Sequence, residues 1–387
     1  MSIALSRFID AARWIAALTV AVSHVGGLLY VFGAQTGAPA YSPVAAWLFW
    51  PSYAFAHEAV VVFFVLSGFL VGGAVLERVR TPRRWLRDYM IDRTVRIYIV
   101  LAPVLLLCGA LDLIGARFLA HTGAYASDLY VETFKPWLVL TNLLNLQGTY
   151  FAPFGSNMPM WSLGLEYWYY IAFALMVLPF ASAVSAYPRN LRMAGGALGL
   201  AIALALSASG GYFFFGLAIW LLGALVRIAP APVLRSRALA LAAFLIVSVA
   251  VRQFVSETVL LNSPARFAVD AVEALLFANV LLALRFDETP GFAFARSAIH
   301  ARMSAFSFTL YACHMPIIVF LWACCAALFG ASWSRATASP AYYAIFVALA
   351  LSVVAASYLL SRVTEAHTAA ARARLRSRLD RLAAVRS

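Results

Sequence analysis

The chain of 387 residues takes 64% of its positions from Ala, Val, Ile, Leu, Met, Phe, Trp, Tyr and Cys, is only 12% charged, and has a mean hydropathy of +0.86. Soluble domains carry about 25% charge, so this composition excludes a water-soluble enzyme, and 14% aromatic residues exclude a disordered chain. The net charge of +13 comes from 28 arginines and one lysine that cluster between apolar runs, a distribution that speaks for membrane topology and against nucleic acid.

Apolar runs of about 17 to 25 residues are long enough to cross roughly 30 Å of hydrocarbon. Ten are expected, at about 12–33, 56–76, 94–115, 158–180, 193–208, 211–228, 238–256, 266–285, 304–329 and 341–362. The fold class is therefore all-α, a polytopic transmembrane bundle, and an even count puts both termini on one side. With the N-terminus inside the cell, the inner segments hold Arg7, Arg13, the arginines from Arg78 to Arg96, Arg189, Arg192, Arg227, Arg235, Arg237, Arg285, Arg296, Arg302 and those from Arg362 to Arg386, 24 basic residues altogether. Five remain outside, namely Arg117, Lys135, Arg252, Arg266 and Arg335. The positive-inside rule then predicts cytoplasmic termini in a multi-pass protein of the bacterial inner membrane.

Ala38, Pro39 and Ala40 resemble a signal-peptidase site. The preceding apolar stretch of about 20 residues exceeds a signal core, and cleavage would spoil the arginine asymmetry. The outer segment 116–157 is aromatic, and its apolar stretch after Pro136 suggests a half-buried or re-entrant helix. Residues 1–363 read as the membrane domain and 364–387 as a basic cytoplasmic tail, expected to lie on anionic lipid. Cys108, Cys313, Cys324 and Cys325 lie in apolar runs without metal-ligand spacing, so no metal site is expected.

An ionisable side chain at the bilayer centre costs at least about 2.5 kcal/mol, so each asks for a partner or a function. Arg13 and His24 in the first run are eleven residues apart, which places them about 20° apart around one helix. They should face the same neighbour. Arg13 could instead snorkel to the inner headgroups, and His24 could be an interhelical hydrogen-bonding residue. Glu166, in the fourth run, is expected at the depth of His24, where a hydrogen bond between them would fix the imidazole tautomer. His314, two residues before Pro316, also falls near mid-membrane, either with a functional role or satisfying backbone groups that the proline frees. Arg93 and Arg96 stand three apart at the cytoplasmic start of the third run. Guanidinium groups suit bidentate phosphate binding, so the pair could hold a phosphorylated ligand; positive-inside anchoring explains the number of charges but not the placement of two at that boundary.

These residues lie in stretches that resemble the acyltransferase family 3 integral-membrane proteins, which acylate envelope glycans and related acceptors. RFIDAARWIAALTVAVSH carries the family's Arg and His as Arg13 and His24, and VVFFVLSGFLVGG follows at 61–73. DRTVRIYIVLAP at 92–103 carries Arg93 and Arg96, WSLGLEYWYY at 161–170 carries Glu166, and FSFTLYACHMPII at 306–318 carries Tyr311 and His314. The chain departs from the family at Ala11 and Trp14, where glycines are usual, and at Tyr167, where a second acid is frequent.

The resemblance implies an enzyme with no permanently bound cofactor, using acyl-CoA, taken as acetyl-CoA, as donor substrate. Arg93 and Arg96 would bind the CoA phosphates. His24 would be general base or acyl carrier, Glu166 would orient it, and Arg13 would anchor the donor or stabilise the oxyanion, with supporting roles for His314, Tyr170 and Tyr311. The acceptor would be a hydroxyl of an envelope polysaccharide or lipid-linked glycan, and any periplasmic partner is expected to be a separate protein. Two alternatives share these residues: a proton-coupled secondary transporter, and the same acyl transfer onto a small molecule or lipid. The transporter reading expects a counterpart of WSLGLEYWYY in the second half, and none is found in residues 200–387.

Overall fold

A computed structural model describes residues 1–34, 55–79, 85–126, 128–181, 187–254, 263–330 and 340–384. Among these residues the secondary structure is helical, with no strand beyond a single bridge between Gln147 and Phe151. Among the described residues nine helical stretches are long and apolar enough to cross a bilayer. The first is α1 (Ile3–Ala34). The second is a composite of α2 (Ala56–Ser67), a π-helical turn over Gly68–Gly72 and α3 (Gly73–Arg78). The third is α4 (Leu86–Phe118), which begins well before the expected 94, so Arg93 and Arg96 sit on its second and third turns. After the short α5 (Asp128–Thr133) and α6 (Pro136–Leu143) come α7 (Trp161–Met176) and α8 (Arg189–Ser207). Then follow α9 (Phe213–Val226), α10 (Arg237–Phe254), α11 (Pro264–Arg285), the short α12 (Ile299–Ser304), α13 (Ser307–Phe329), α14 (Pro340–Val363) and α15 (Thr368–Ala384).

The expected run 211–228 is the exception in length. α9 has 14 residues, about 21 Å at 1.5 Å per residue, short of the roughly 30 Å of hydrocarbon. Buried among its neighbours through Phe213, Ile219 and Trp220, it still runs from one end of the bundle to the other, from Tyr212, which donates to Asp270, to Arg227, which pairs with Glu77, so it counts as a pass. Two glycines let it approach the second span closely. A Cβ on Gly68 would fall 1.8 Å from the Trp220 carbonyl oxygen, and one on Gly223 would fall 2.1 Å from that of Val65. Small residues permit such backbone contact where no hydrophobic force draws helices together in lipid. The π turn begins at Gly68, so the backbone irregularity and the tightest helix contact coincide.

At the end of the bundle away from the N-terminus, α2 is tied to α11 by buried charges. Asp270 accepts from His57 Nε2 at 2.9 Å and pairs with Arg266 Nε at 2.9 Å, and Arg266 lies 3.6 Å from Glu58. The segment after α4 is pinned by Asp112, whose carboxylate accepts from the Ser156 backbone N–H and Oγ, both at 2.7 Å. Its helix α6 has eight residues, too few to enter far into the bilayer, so the re-entrant expectation is met only by a short, partly buried helix.

Candidate active site

One cavity of about 350 Å³ opens at the arginine-rich end of the bundle, at the small end of ligand-site volumes. α1 contributes Arg13, α4 contributes Arg93 and Arg96, α7 contributes Glu166 and Tyr170, and α13 contributes Tyr311. Arg372 of α15 completes the charged lining, which thus holds four guanidinium groups against a single carboxylate. Six of the eight site residues expected from the sequence therefore meet in one place.

The arginines differ in their partners. Arg96 Nη2 is 2.6 Å from Oε1 of Glu365, a residue 5% exposed whose other oxygen accepts from Thr309 N at 3.0 Å and Thr309 Oγ1 at 2.9 Å. Arg96 is thus a half-neutralised member of the pair. Arg93 lies over the Tyr89 ring at 6.0 Å, and its buried Nε has no hydrogen-bond partner. Among the described residues neither Arg13 nor Arg93 forms a salt bridge. Guanidinium groups held without carboxylates in a partly desolvated cavity favour an anionic ligand.

Glu166 is fixed by a chain of donors running in one direction. Trp220 Nε1 donates to Ser67 Oγ at 3.0 Å, Ser67 Oγ lies 3.1 Å from Tyr170 OH, and Tyr170 OH donates to Glu166 Oε1 at 2.6 Å. The indole has only a proton to give and the carboxylate only lone pairs, so the Ser67 hydroxyl accepts from Trp220 and keeps its own proton for Tyr170 or Glu166. Neither Ser67 nor Trp220 was singled out in the sequence. Ser67 lies in the quoted stretch at 61–73, but its role depends on the approach of α9.

Tyr311 closes the inner wall of the cavity, its OH donating to the Pro159 carbonyl at 2.9 Å and accepting from Ser162 Oγ at 2.5 Å. One turn further along α13 stands His314. Its Nδ1 is 2.7 Å from the Tyr311 carbonyl oxygen, an atom that can only accept, so Nδ1 carries the proton. In a neutral ring Nε2 is then the acceptor, and 2.9 Å away His24 Nδ1 must donate to it. The outcome is a defined tautomer for His24, with the free lone pair on Nε2.

This geometry corrects two expectations. His24 pairs with His314 and not with Glu166, because α1 packs against α13 while Glu166 turns into the cavity toward Tyr170. His24 addresses α13, while Arg13 opens into the cavity lined by α2, α4, α7, α13 and α15. The backbone carbonyl that Pro316 leaves unpaired, that of Ala312, accepts from Asn157 Nδ2 at 2.9 Å, so His314 is not the residue that satisfies it. Eleven residues of helix separate Arg13, in the cavity lining, from His24 by about 16 Å.

A family model described as an acyltransferase domain matches residues 6–362. No curated protein and no solved structure matches the chain. The match embraces α1 through α14 and every sequence-derived site residue, and it sets aside the transporter reading. The chain thus belongs to the acyltransferase family 3 membrane proteins, and it is a multi-pass membrane acyltransferase.

Proposed function

We propose that the protein transfers an acetyl group from cytoplasmic acetyl-CoA to a hydroxyl of an envelope polysaccharide or its lipid-linked precursor. The observation that supports this most is the His24 Nε2 lone pair, set by His314 deep in the bundle and separated by Tyr311 from a cavity rich in guanidinium groups. Phosphate-binding groups and a base on one axis suit a donor whose phosphates stay at the mouth while its acyl end passes inward.

In this reading Arg13 and Arg93 hold the anionic part of the donor, and Arg96 does so while shared with Glu365. His24 Nε2 takes the proton of the acceptor hydroxyl as its oxygen attacks the thioester carbonyl. The C–S bond breaks as the new ester C–O bond persists, and the proton passes from His24 to the departing thiolate. The same lone pair could accept the acyl group first and release it to the hydroxyl afterwards, with the same overall balance. Both termini lie in the cytoplasm, in keeping with the 24 to five distribution of basic residues.

The test is purified protein supplied with labelled acetyl-CoA and a hydroxyl acceptor, together with mass analysis of envelope glycans from cells with and without the gene. Transfer and a matching acetyl mass difference support the reading. Glycans of identical mass, with transfer to a small molecule instead, would replace the acceptor class. Label trapped on His24 without acceptor, and released by hydroxylamine as from an N-acylimidazole, would select the acyl-histidine route.

A further inference from the structure

We propose that α15, which lies beyond the residues matched by the family model, is a wall of the donor site, and that Arg372 is a fourth ligand for the phosphates of acyl-CoA. This rests on the donor reading above and adds a residue to it. The tail, expected from sequence to lie on anionic lipid, is docked along one side on α4. Arg376 Nη2 is 2.7 Å from Asp92 Oδ1, and Arg87 Nη2 is 2.6 Å from Asp380 Oδ1. At the start of the helix, Glu365 and Thr368 are buried, and Glu365 holds Arg96. The tail therefore both orients one arginine of the pair and supplies another.

Arg372 and Arg376 are four residues apart and share the face turned to α4, whereas Arg374 and Arg378 are exposed. Arg376 takes the short contact with Asp92. Arg372 Nη1 is left 3.9 Å from the same carboxylate oxygen, and its buried Nε has no hydrogen-bond partner. Its side chain, 34% exposed, lines the cavity beside Arg13 and Arg93. A guanidinium with unused donors on a cavity that already holds two unpaired cations suits the multiple phosphate oxygens of a CoA ester better than a neutral group.

The experiment is equilibrium binding to the purified full chain in neutral phosphatidylcholine nanodiscs with two probes, acetyl-CoA and S-acetylpantetheine, which lacks the phosphates. Arg372→Ala is expected to weaken acetyl-CoA about five- to tenfold and to leave acetylpantetheine unchanged. Arg372→Lys should recover part of the loss, and Arg378→Ala on the exposed face should change neither. Should Arg372→Ala fail to fold, Asp92→Asn, which loosens the helix but keeps Arg372, is expected to weaken acetyl-CoA alone. Unchanged acetyl-CoA affinity in these variants, with wild type binding it, overturns the inference and spares the donor reading. Equal weakening of both probes overturns it in favour of a general loosening of the bundle. A difference that disappears when phosphatidylglycerol is added assigns Arg372 to lipid headgroups, and a wild type that binds no acetyl-CoA overturns both readings.

Discussion

His24 Nδ1 and His314 Nε2 lie 2.9 Å apart, and the Tyr311 carbonyl on the far side of His314 decides which of the two rings keeps a free lone pair. His24→Ala should insert normally, because removing a polar group from a span does not hinder insertion. Acyl transfer should fall by about 10² to 10⁴-fold. Near wild-type transfer by purified His24→Ala would falsify the base assignment. His314→Gln should lose less, about tenfold to a hundredfold, since its amide can still accept from His24 Nδ1 but holds the ring less well. Equal activity of His314→Gln and wild type would show that an amide acceptor sets the His24 ring as well as the imidazole does.

Glu166 accepts from Tyr170 and does not reach His24. Glu166→Gln is therefore expected to cost less activity than His24→Ala, because the amide oxygen still accepts from Tyr170. Tyr170→Phe leaves Glu166 Oε1 and Ser67 without that hydroxyl, a stability loss of about 1 to 3 kcal/mol. Thermal unfolding in detergent reads this, and an unchanged midpoint would mean that water replaces the phenol.

Arg93 and Arg96 should separate on mutation although their spacing makes them look equivalent. Arg93→Ala removes a cation without a carboxylate partner and is expected to weaken acetyl-CoA binding about ten- to a hundredfold with little loss of stability. Arg96→Ala also strands buried Glu365, so it should lower stability by about 1 to 3 kcal/mol in addition. Glu365→Gln in the Arg96→Ala background should restore part of that loss. Identical unfolding midpoints for both alanine variants would place Glu365 outside the pairing.

Gly68→Ala sets a methyl carbon 1.8 Å from the Trp220 carbonyl oxygen and should separate α9 from the second span. Such overpacking costs about 1 to 3 kcal/mol or more. Gly27→Ala, with nothing within 4 Å of the added carbon, is the matched control. Detergent-solubilised yield and unfolding midpoint compare the two, and equal values would show that α9 can shift without penalty.

The orientation expected from the arginines is read by cysteine labelling in intact cells, on a background lacking the native cysteines. Ala126→Cys, exposed after α4, should react with an impermeant reagent, and Ser377→Cys, exposed on α15, should react only after the cells are opened. Labelling of position 377 from outside would invert the topology.

The helical class, nearly all the spans and the family were legible in the residues alone. Each of these depends on local quantities, namely run length, a rise of about 1.5 Å per residue and the position of arginines at run ends. That Arg13 and His24 lie on one side of α1 was legible for the same reason. What that side meets was not. Glu166 and His314 were both placed near mid-membrane, and only the packing of α1 on α13 chose His314 as the partner of His24. The length of α9 likewise escaped the hydropathy pattern, because its burial follows from glycines on two separate helices meeting at Gly68 and Gly223. Arg372 read as one charge in a basic series, since a helix's charge content is local but the cavity it borders is built by contacts between residues hundreds of positions apart.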